Sequence, residues 1–435
     1  MSIEVRDPVH GSIVLSDGET AVVDSREFQR LRAIKQLGFA DISFPGATHT
    51  RFLHSIGVCH LGGRVFDSVF GAFPFSKTSV KNRFRQVLRL GALLHDVGHG
   101  PLSHTTEDVM PRVADLKVDA YRHREKGFEV DPSSRATHED YTIKYLTDSG
   151  LTDVLKQNFS EISPLHIACL IDKSLTCPDD FFIDQGIDFR PIFSQLVSSE
   201  LDVDRMDYLE RDSYFTGTNY GKIDRDWLVA NLRATLKDGK YFLGLNRRAL
   251  YTFDDFLISR HHIHLMVYFH HKALIYEEML NRYLESPDAS FRLPADINEY
   301  TRYNDFRLYE HLADSQNEWA QRITRRNPYR VLVELHSTEE SDRPDRIESA
   351  LRRAGIHTIV SSSKARLSKY HSAEPEDRSH QIYVMDQYDR WDQPTPIDRT
   401  SEIFRRYEGA RIISRIYVAP ESYKEAEKLL TDQRL

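Results

Sequence analysis

Cysteine is scarce in this chain: Cys59, Cys169 and Cys177 among 435 residues, an odd number with none in a CxxC pair. That excludes a disulfide framework and a thiolate zinc site, and it fits a reducing cytoplasm. No apolar run reaches the ~20 residues that a membrane-spanning helix needs. The opening "MSIEVRDPVH" has neither the basic nor the apolar part of a secretory leader. An excess of positive charge is missing too, since 58 Lys+Arg stand against 66 Asp+Glu for a net charge of −8. A protein that coats nucleic acid would reverse that balance, although local basic pockets remain compatible with it. Apolar content is ordinary, so the expectation is a soluble cytoplasmic globular protein with no membrane association. Its length suits two domains, or one large helical domain with an appendage.

The helical period dominates most of the chain. Residues 1–26 read as a hairpin-like start, because "IEVRDPVHGSIVLS" alternates around a turn at Pro8–Gly11. "REFQRLRAIKQLG" spaces Phe28, Leu31, Ile34 and Leu37 about three residues apart and predicts a helix capped by Gly38. "RFLHSIGVCHLGGRVFDSVFG" and "RFRQVLRLGALLHDVGH" predict two more, with others near 139–147, 151–158, 190–212 and 253–285. Charge, proline and glycine make 111–136 and 176–190 loops. From about 327 strand-like runs ("YRVLVELH", "HTIVSSS", "HQIYVMDQ", "RIISRIYVA") alternate with "DRIESALRRAG" and "ESYKEAEKLL", while "STEESDRPD" and "KYHSAEPEDRSH" read as solvated loops. The predicted class is mainly α, with a helical domain over 27–326 and a small α+β domain over 327–435.

One stretch, "LRLGALLHDVGHGPLSH", runs an apolar helix face straight into His95, Asp96, His99 and His104. Polar groups at the end of a buried helix must be paired, protonated or bound to something. Three other places carry similar residues: "THTRFLHSIGV" with His54, "ATHEDYT" with His138, and "SSELDVDRMDYLERD" with Asp202, Asp204, Asp207 and Asp212. Imidazole nitrogen and carboxylate oxygen suit Zn, Mn, Fe or Mg, and two carboxylates neutralise a divalent ion. His95 and Asp96 diverge by about 100° on a helix, yet both can meet one ion where the helix end points at it. Spacing alone leaves plainer readings open: a helix cap for His54, an exposed charged face for Asp204, dipole complementation for His138 and Glu139.

The order His54, His95-Asp96, Asp204 resembles the H…HD…D pattern of the HD superfamily of metal-dependent phosphohydrolases. The longer words "FQRLRAIKQLGFADISFPGATHTRFLHSIGV", "LLHDVGHGPLSH", "THE" and "LDVDRMDYLERD" resemble its deoxynucleoside triphosphate triphosphohydrolase branch, from about residue 4 to about 285. The resemblance implies a divalent ion on His54, His95, Asp96 and Asp204, and attack at the α-phosphorus to give a deoxynucleoside and intact triphosphate. It puts His104 nearest the role of proton donor to the leaving oxygen, with His99 beside it and His138 in support. Arg51 matches a phosphate-contacting arginine, and Arg205 stands where many relatives have lysine.

In "SRHHIHLMVYFHHKALIYEEML" the positions Arg260, His264, Tyr268 and His270 match the family's substrate-contacting helix. His271 then replaces a lysine unless the register slips to Lys272. Deoxyribose selection falls to Gln36 and Leu37 with Tyr208 and Asp212. Asp24 and Arg32 match part of an interfacial site for a nucleotide activator, but Ile3 and Glu4 occupy the region where relatives carry a lysine. A homo-oligomer, dimer or tetramer, is the expected assembly. Two other functions fit less well: a phosphohydrolase or phosphodiesterase for monophosphates or cyclic nucleotides, and a nucleotide-sensing or single-stranded nucleic-acid-binding module with a vestigial site. The cationic set speaks against the first, and the acidic balance against the second.

Overall fold

The computed structural model describes residues 2–339, 341–365, 367, 381–386, 388, 393–406 and 411–433. The chain is mainly α-helical, with three small sheets. Among the described residues no helix is long and apolar enough to cross a membrane. The stretch "KYHSAEPEDRSH", read as a solvated loop, lies outside the described residues.

Two long helices, Arg51–Phe70 and Thr78–Leu94, pack against each other at the centre. The second buries Leu88, Leu90, Leu93 and Leu94 completely. Each such leucine contributes about 1.5–3 kcal/mol relative to exposure. Helices His138–Thr147, Pro164–Ile171 and Val203–Thr216 complete the body around them. The hairpin is as expected, Ile3–Asp7 against Gly11–Leu15, but a helix Asp17–Val23 follows it inside the first 26 residues. Ile13, Leu15, Val22 and Val23 belong to the main core, so this segment packs as part of the helical body.

A buried ion pair fastens it there. Arg89 donates from Nε to Glu19 Oε1 at 2.6 Å and from Nη2 to Oε2 at 2.8 Å, and also reaches the Val14 carbonyl at 3.1 Å. Burial raises the Glu19 carboxyl, but Arg89, the Ser16 N–H and Gln86 outweigh it and hold it below its usual value of 4.5. A carboxyl whose folded pKa is depressed contributes stability that is full above the unfolded pKa and lost as pH falls through the folded one. Melting temperature measured from pH 6 to 3 should therefore fall below about pH 4.5, and Glu19→Gln, less stable at neutral pH, should flatten that fall.

The predicted helix ending at Gly38 is shorter than its spacing indicates. A helix Arg26–Gln29 and a 3₁₀ turn Arg30–Ala33 give way to extended backbone at Ile34. Longer-range bonds win here: Gln36 N–H donates to the His49 carbonyl at 3.0 Å and Arg51 N–H to the Ile34 carbonyl at 3.0 Å. The Asp305 carboxylate, from a helix 270 residues later, accepts Lys35 N–H at 2.9 Å and Leu102 N–H at 2.7 Å. One side chain thus ties the turn at Lys35 to the loop after His99.

The helical reading of 253–285 is also interrupted, by a π turn His264–Tyr268 between helices Leu250–Ile263 and His271–Glu285. A hairpin not foreseen in the sequence, Leu232–Lys237 with Lys240–Asn246, precedes them. Its second strand pairs in parallel with Tyr383–Met385, from the "HQIYVMDQ" run. The C-terminal region therefore does not fold wholly on its own. The rest of it forms an antiparallel sheet with Arg411–Val418 between Arg330–Ser337 and Thr358–Ala365. Helices Arg343–Arg353 and Tyr423–Gln433 bury Ile347, Leu351, Ala426 and Leu430 against it.

Candidate functional site

The apolar helix stops at Leu94 because His95 and Asp96 are the first residues past its end, where both turn toward the start of the Val203–Thr216 helix. His54, one turn into the Arg51–Phe70 helix, completes the group. Its Nε2 lies 3.1 Å from Asp204 Oδ1 and 3.5 Å from Asp96 Oδ2. His95 Nε2 lies 3.4 Å from Asp96 Oδ1 and 3.5 Å from Asp204 Oδ1. Both Nε2 atoms are buried without a hydrogen-bond partner. Their other nitrogens are engaged, His54 Nδ1 with Asp207 Oδ2 at 2.8 Å and His95 Nδ1 with the Ala92 carbonyl at 2.9 Å. With Nδ1 as donor, each ring turns a bare Nε2 lone pair toward two carboxylates, the arrangement a divalent cation requires.

Electrostatics agree with that fit. Burial lowers His54, but the Asp204 and Asp207 carboxylates outweigh it and push it up to about 10. A cation at Nε2 would supply the positive charge that this proton otherwise provides. Burial would raise Asp96, yet Arg51, His95 and His99 hold it well below the usual carboxylate range.

Behind His54 stands a second layer that the sequence reading missed. Asp207 accepts from His54, from His10 Nε2 at 2.5 Å, and from Arg211 Nε and Nη2 at 2.8 and 2.9 Å. Arg211, fully buried, also grips Asp7 at 2.8 Å. Gly57 makes room: a Cβ there would collide with the Asp207 carboxylate and the Arg211 guanidinium. "DPVH" and the four-residue step from Asp207 to Arg211 were the available signals, but such a step reads equally as an exposed helical ion pair.

His99, His104 and His138 come together beside the cluster. The His99 and His138 rings stack at 3.8 Å, and His104 meets both edge-on at 4.7 and 5.1 Å. Glu107, also unforeseen, joins His104 Nδ1 at 3.1 Å and pairs with His138. Burial, with Arg51 and His138 nearby, pushes His99 well below its usual value, so its ring is neutral.

A cavity of about 530 Å³ opens over these groups. Its lining includes Asp96, Asp204, all three of His99, His104 and His138, and the expected Gln36, Leu37, Arg51, Arg205, Tyr208, Asp212, His264 and Tyr268. Within it Arg51 pairs with Asp96 and donates to Ser103 Oγ at 2.8 Å, while Arg205 is held by Asp202. Asp212 accepts from Tyr268 at 2.6 Å and joins His49, another residue not singled out, at 2.8 Å. Gln36 Oε1 is buried without a partner.

Four expected residues stand elsewhere. Arg260 pairs with Glu200 at 3.0 Å and bonds the Leu367 carbonyl, outside the cavity lining. Asp24 is exposed, and Arg32, also exposed, lies over the Phe52 ring at 3.5 Å, both away from the cavity. His270 caps the next helix and contacts Ser43 at 3.0 Å.

Comparison with known proteins matches residues 51–161 to the HD domain and 223–359 to the HD associated region. The chain is 30% identical over 329 residues to an uncharacterized protein, MJ1154, of Methanocaldococcus jannaschii, covering 76% of this chain and 59% of that one. It is 27% identical over 344 residues to the deoxynucleoside triphosphate triphosphohydrolase SAMHD1 homolog of Dictyostelium discoideum (76% and 60%). The human deoxynucleoside triphosphate triphosphohydrolase SAMHD1 is 25% identical over 329 residues (72% and 49%). The chain thus spans about half to three-fifths of the length of the curated relatives it matches. A crystal structure of a hypothetical protein from Aquifex aeolicus superposes with a TM-score of 0.74 at 26% identity, covering 99% of this chain and 100% of that one. With His54, His95, Asp96 and Asp204 gathered beside a cavity and both HD regions matched in order, the chain carries an HD domain with its associated region and is similar to a dNTPase-like branch of the HD superfamily.

Proposed function

We propose that the chain hydrolyses deoxynucleoside triphosphates at the α-phosphorus, releasing a deoxynucleoside and triphosphate. The observation that carries this reading is one cavity lined at once by the metal-ligand carboxylates, two guanidinium groups, three clustered imidazoles and an unpartnered amide. His54, His95, Asp96 and Asp204 would hold a divalent ion. Bound there, such an ion supplies Lewis acidity and brings the pKa of water toward neutrality.

Arg51 and Arg205 are the cations available to a phosphate chain, and a monophosphate would need fewer of them. With Asp96 holding an ion, Arg51 would keep Ser103 Oγ as a partner and have its guanidinium available to a phosphate. Breaking the P–O5′ bond leaves charge on the 5′ oxygen, which takes a proton to become the hydroxyl of the deoxynucleoside. His104, paired through Nδ1 with Glu107, would give it as the imidazolium and be left neutral. Gln36 Oε1 is an acceptor free for the sugar 3′-hydroxyl, and the Tyr208 and Tyr268 rings narrow the cavity beside it.

Incubation with each of the four dNTPs and four NTPs, singly and mixed, with Mg²⁺ or Mn²⁺, followed by ion-exchange chromatography, tests this. Deoxynucleoside with intact triphosphate is the expected result. Pyrophosphate or orthophosphate as first product would overturn it. Turnover only in mixtures would support an activator site at Asp24 and Arg32, and mass measurement with and without nucleotide would test the expected oligomer.

A further inference from the structure

The cavity wall that carries His104 is held in a conformation its residues do not favour. Leu102 and Ser103 have φ +55° and +60°, in the left-handed region that side chains resist. They launch the Ser103–Val109 turn on which His104 and Glu107 stand. Such a turn persists only where its surroundings hold it.

Two ties do so, and both run to Lys35. Asp305 accepts the Leu102 N–H through Oδ1 at 2.7 Å and the Lys35 N–H through Oδ2 at 2.9 Å. The Ser103 hydroxyl donates to the Lys35 carbonyl at 2.7 Å and accepts from Arg51 Nε at 2.8 Å. Leu102 is buried, so its N–H has no water to turn to if the carboxylate is removed. Asp305 is buried as well, and burial pushes its carboxyl up to about 6 although both N–H bonds oppose the shift. At pH 7 it is therefore mostly ionised, with both oxygens as acceptors. The frame joins the residue before Gln36 to the two residues before His104. Asp305 itself lies outside the cavity lining and acts only through what it holds.

We propose that Asp305 is a positioning residue for the reaction: it sets His104 at a fixed distance from Gln36, so that a proton donor meets the 5′ oxygen of a sugar whose 3′-hydroxyl is already held. This rests on the dNTPase reading given above. The sugar fixes the place of its 5′ oxygen, and a donor displaced by about 1 Å loses on the order of 10²-fold in rate. That loss falls on the bond-breaking step and spares ground-state binding.

Asp305→Asn keeps the side-chain size and one acceptor, but sets an NH₂ group against the second N–H. Its kcat and KM for dNTP hydrolysis should be measured in wild-type and His104→Ala backgrounds. In the first, kcat should fall about 10- to 100-fold with KM within about threefold. In the second, where the donor is gone, the same substitution should cost less than about threefold. Ser103→Ala, which cuts the other tie, should likewise cost more kcat with His104 present than without it, and keeps the test open should Asp305→Asn not fold. Amide hydrogen exchange in peptides spanning Leu102 should quicken at least about tenfold in Asp305→Asn. Equal fractional losses in both backgrounds, a rise in KM at unchanged kcat, or unaltered exchange would overturn the proposal. No triphosphate from wild type would instead sink the dNTPase reading, with quickened exchange still showing that Asp305 holds the turn.

Discussion

Replacing His95 with alanine should cut turnover by on the order of 10⁴-fold, about 5.5 kcal/mol at the transition state, while leaving the fold nearly as stable as before. The asymmetry follows from how few hydrogen bonds the ring makes. Its Nδ1 reaches one helical carbonyl, Ala92, and its Nε2 makes no hydrogen bond at all. A side chain with so little structural work and a buried bare nitrogen is placed for a ligand. Asp96→Ala is a poorer test, because it would strand the buried Arg51 guanidinium with only Ser103 for company. Metal content after dialysis, steady-state rates and melting temperature should be measured on the same preparation. Wild type stripped with a chelator should lose activity and regain it with Mn²⁺ or Mg²⁺. Retained turnover in a His95→Ala, Asp204→Asn double variant would end the metal assignment.

Asp207→Ala should show the opposite profile, with stability and metal affinity failing together. The carboxylate neutralises Arg211, whose remaining partner would be Asp7 at 2.8 and 3.3 Å. Removing one member of a buried pair costs about 3–5 kcal/mol, because the other charge stays buried. The His54 ring also loses the acceptor that fixes its tautomer, which typically lowers metal affinity by about 10- to 100-fold. Arg211→Met separates the two effects. It should lower the melting temperature while His54 keeps its 2.8 Å bond to Asp207, so metal affinity falls less than in Asp207→Ala. Equal metal binding in Asp207→Ala and wild type would show that the second layer is structural alone.

The clustering of His54, His95, Asp96 and Asp204 was legible because each sits within a long characteristic word, and because an apolar run ending in His95-Asp96 is anomalous by its own chemistry. The orienting layer was not, since Asp207 and Arg211 form a step common on exposed helices, and only tertiary packing makes it dry. The extended turn at Ile34–Leu37 was hidden for a related reason. Its apolar residues keep the helical spacing, but bonds to His49, Arg51 and Asp305 outcompete the local helix. Such partners lie up to 270 residues away, beyond any window of local periodicity. The Tyr383–Met385 strand was legible as a strand; which sheet it joins was not, because its partner Gly244–Asn246 belongs to a hairpin that periodicity did not reveal.

The Asp305 carboxylate holds two segments, the turn at Lys35, which precedes the HD domain match of residues 51–161, and the Leu102 turn, which lies inside it. Asp204, the fourth ligand, also falls beyond that match. The segment bearing the signature is therefore not a module that could be cut out or transplanted with its chemistry intact. It would lack a ligand, a cavity wall and the clasp that sets the wall's distance.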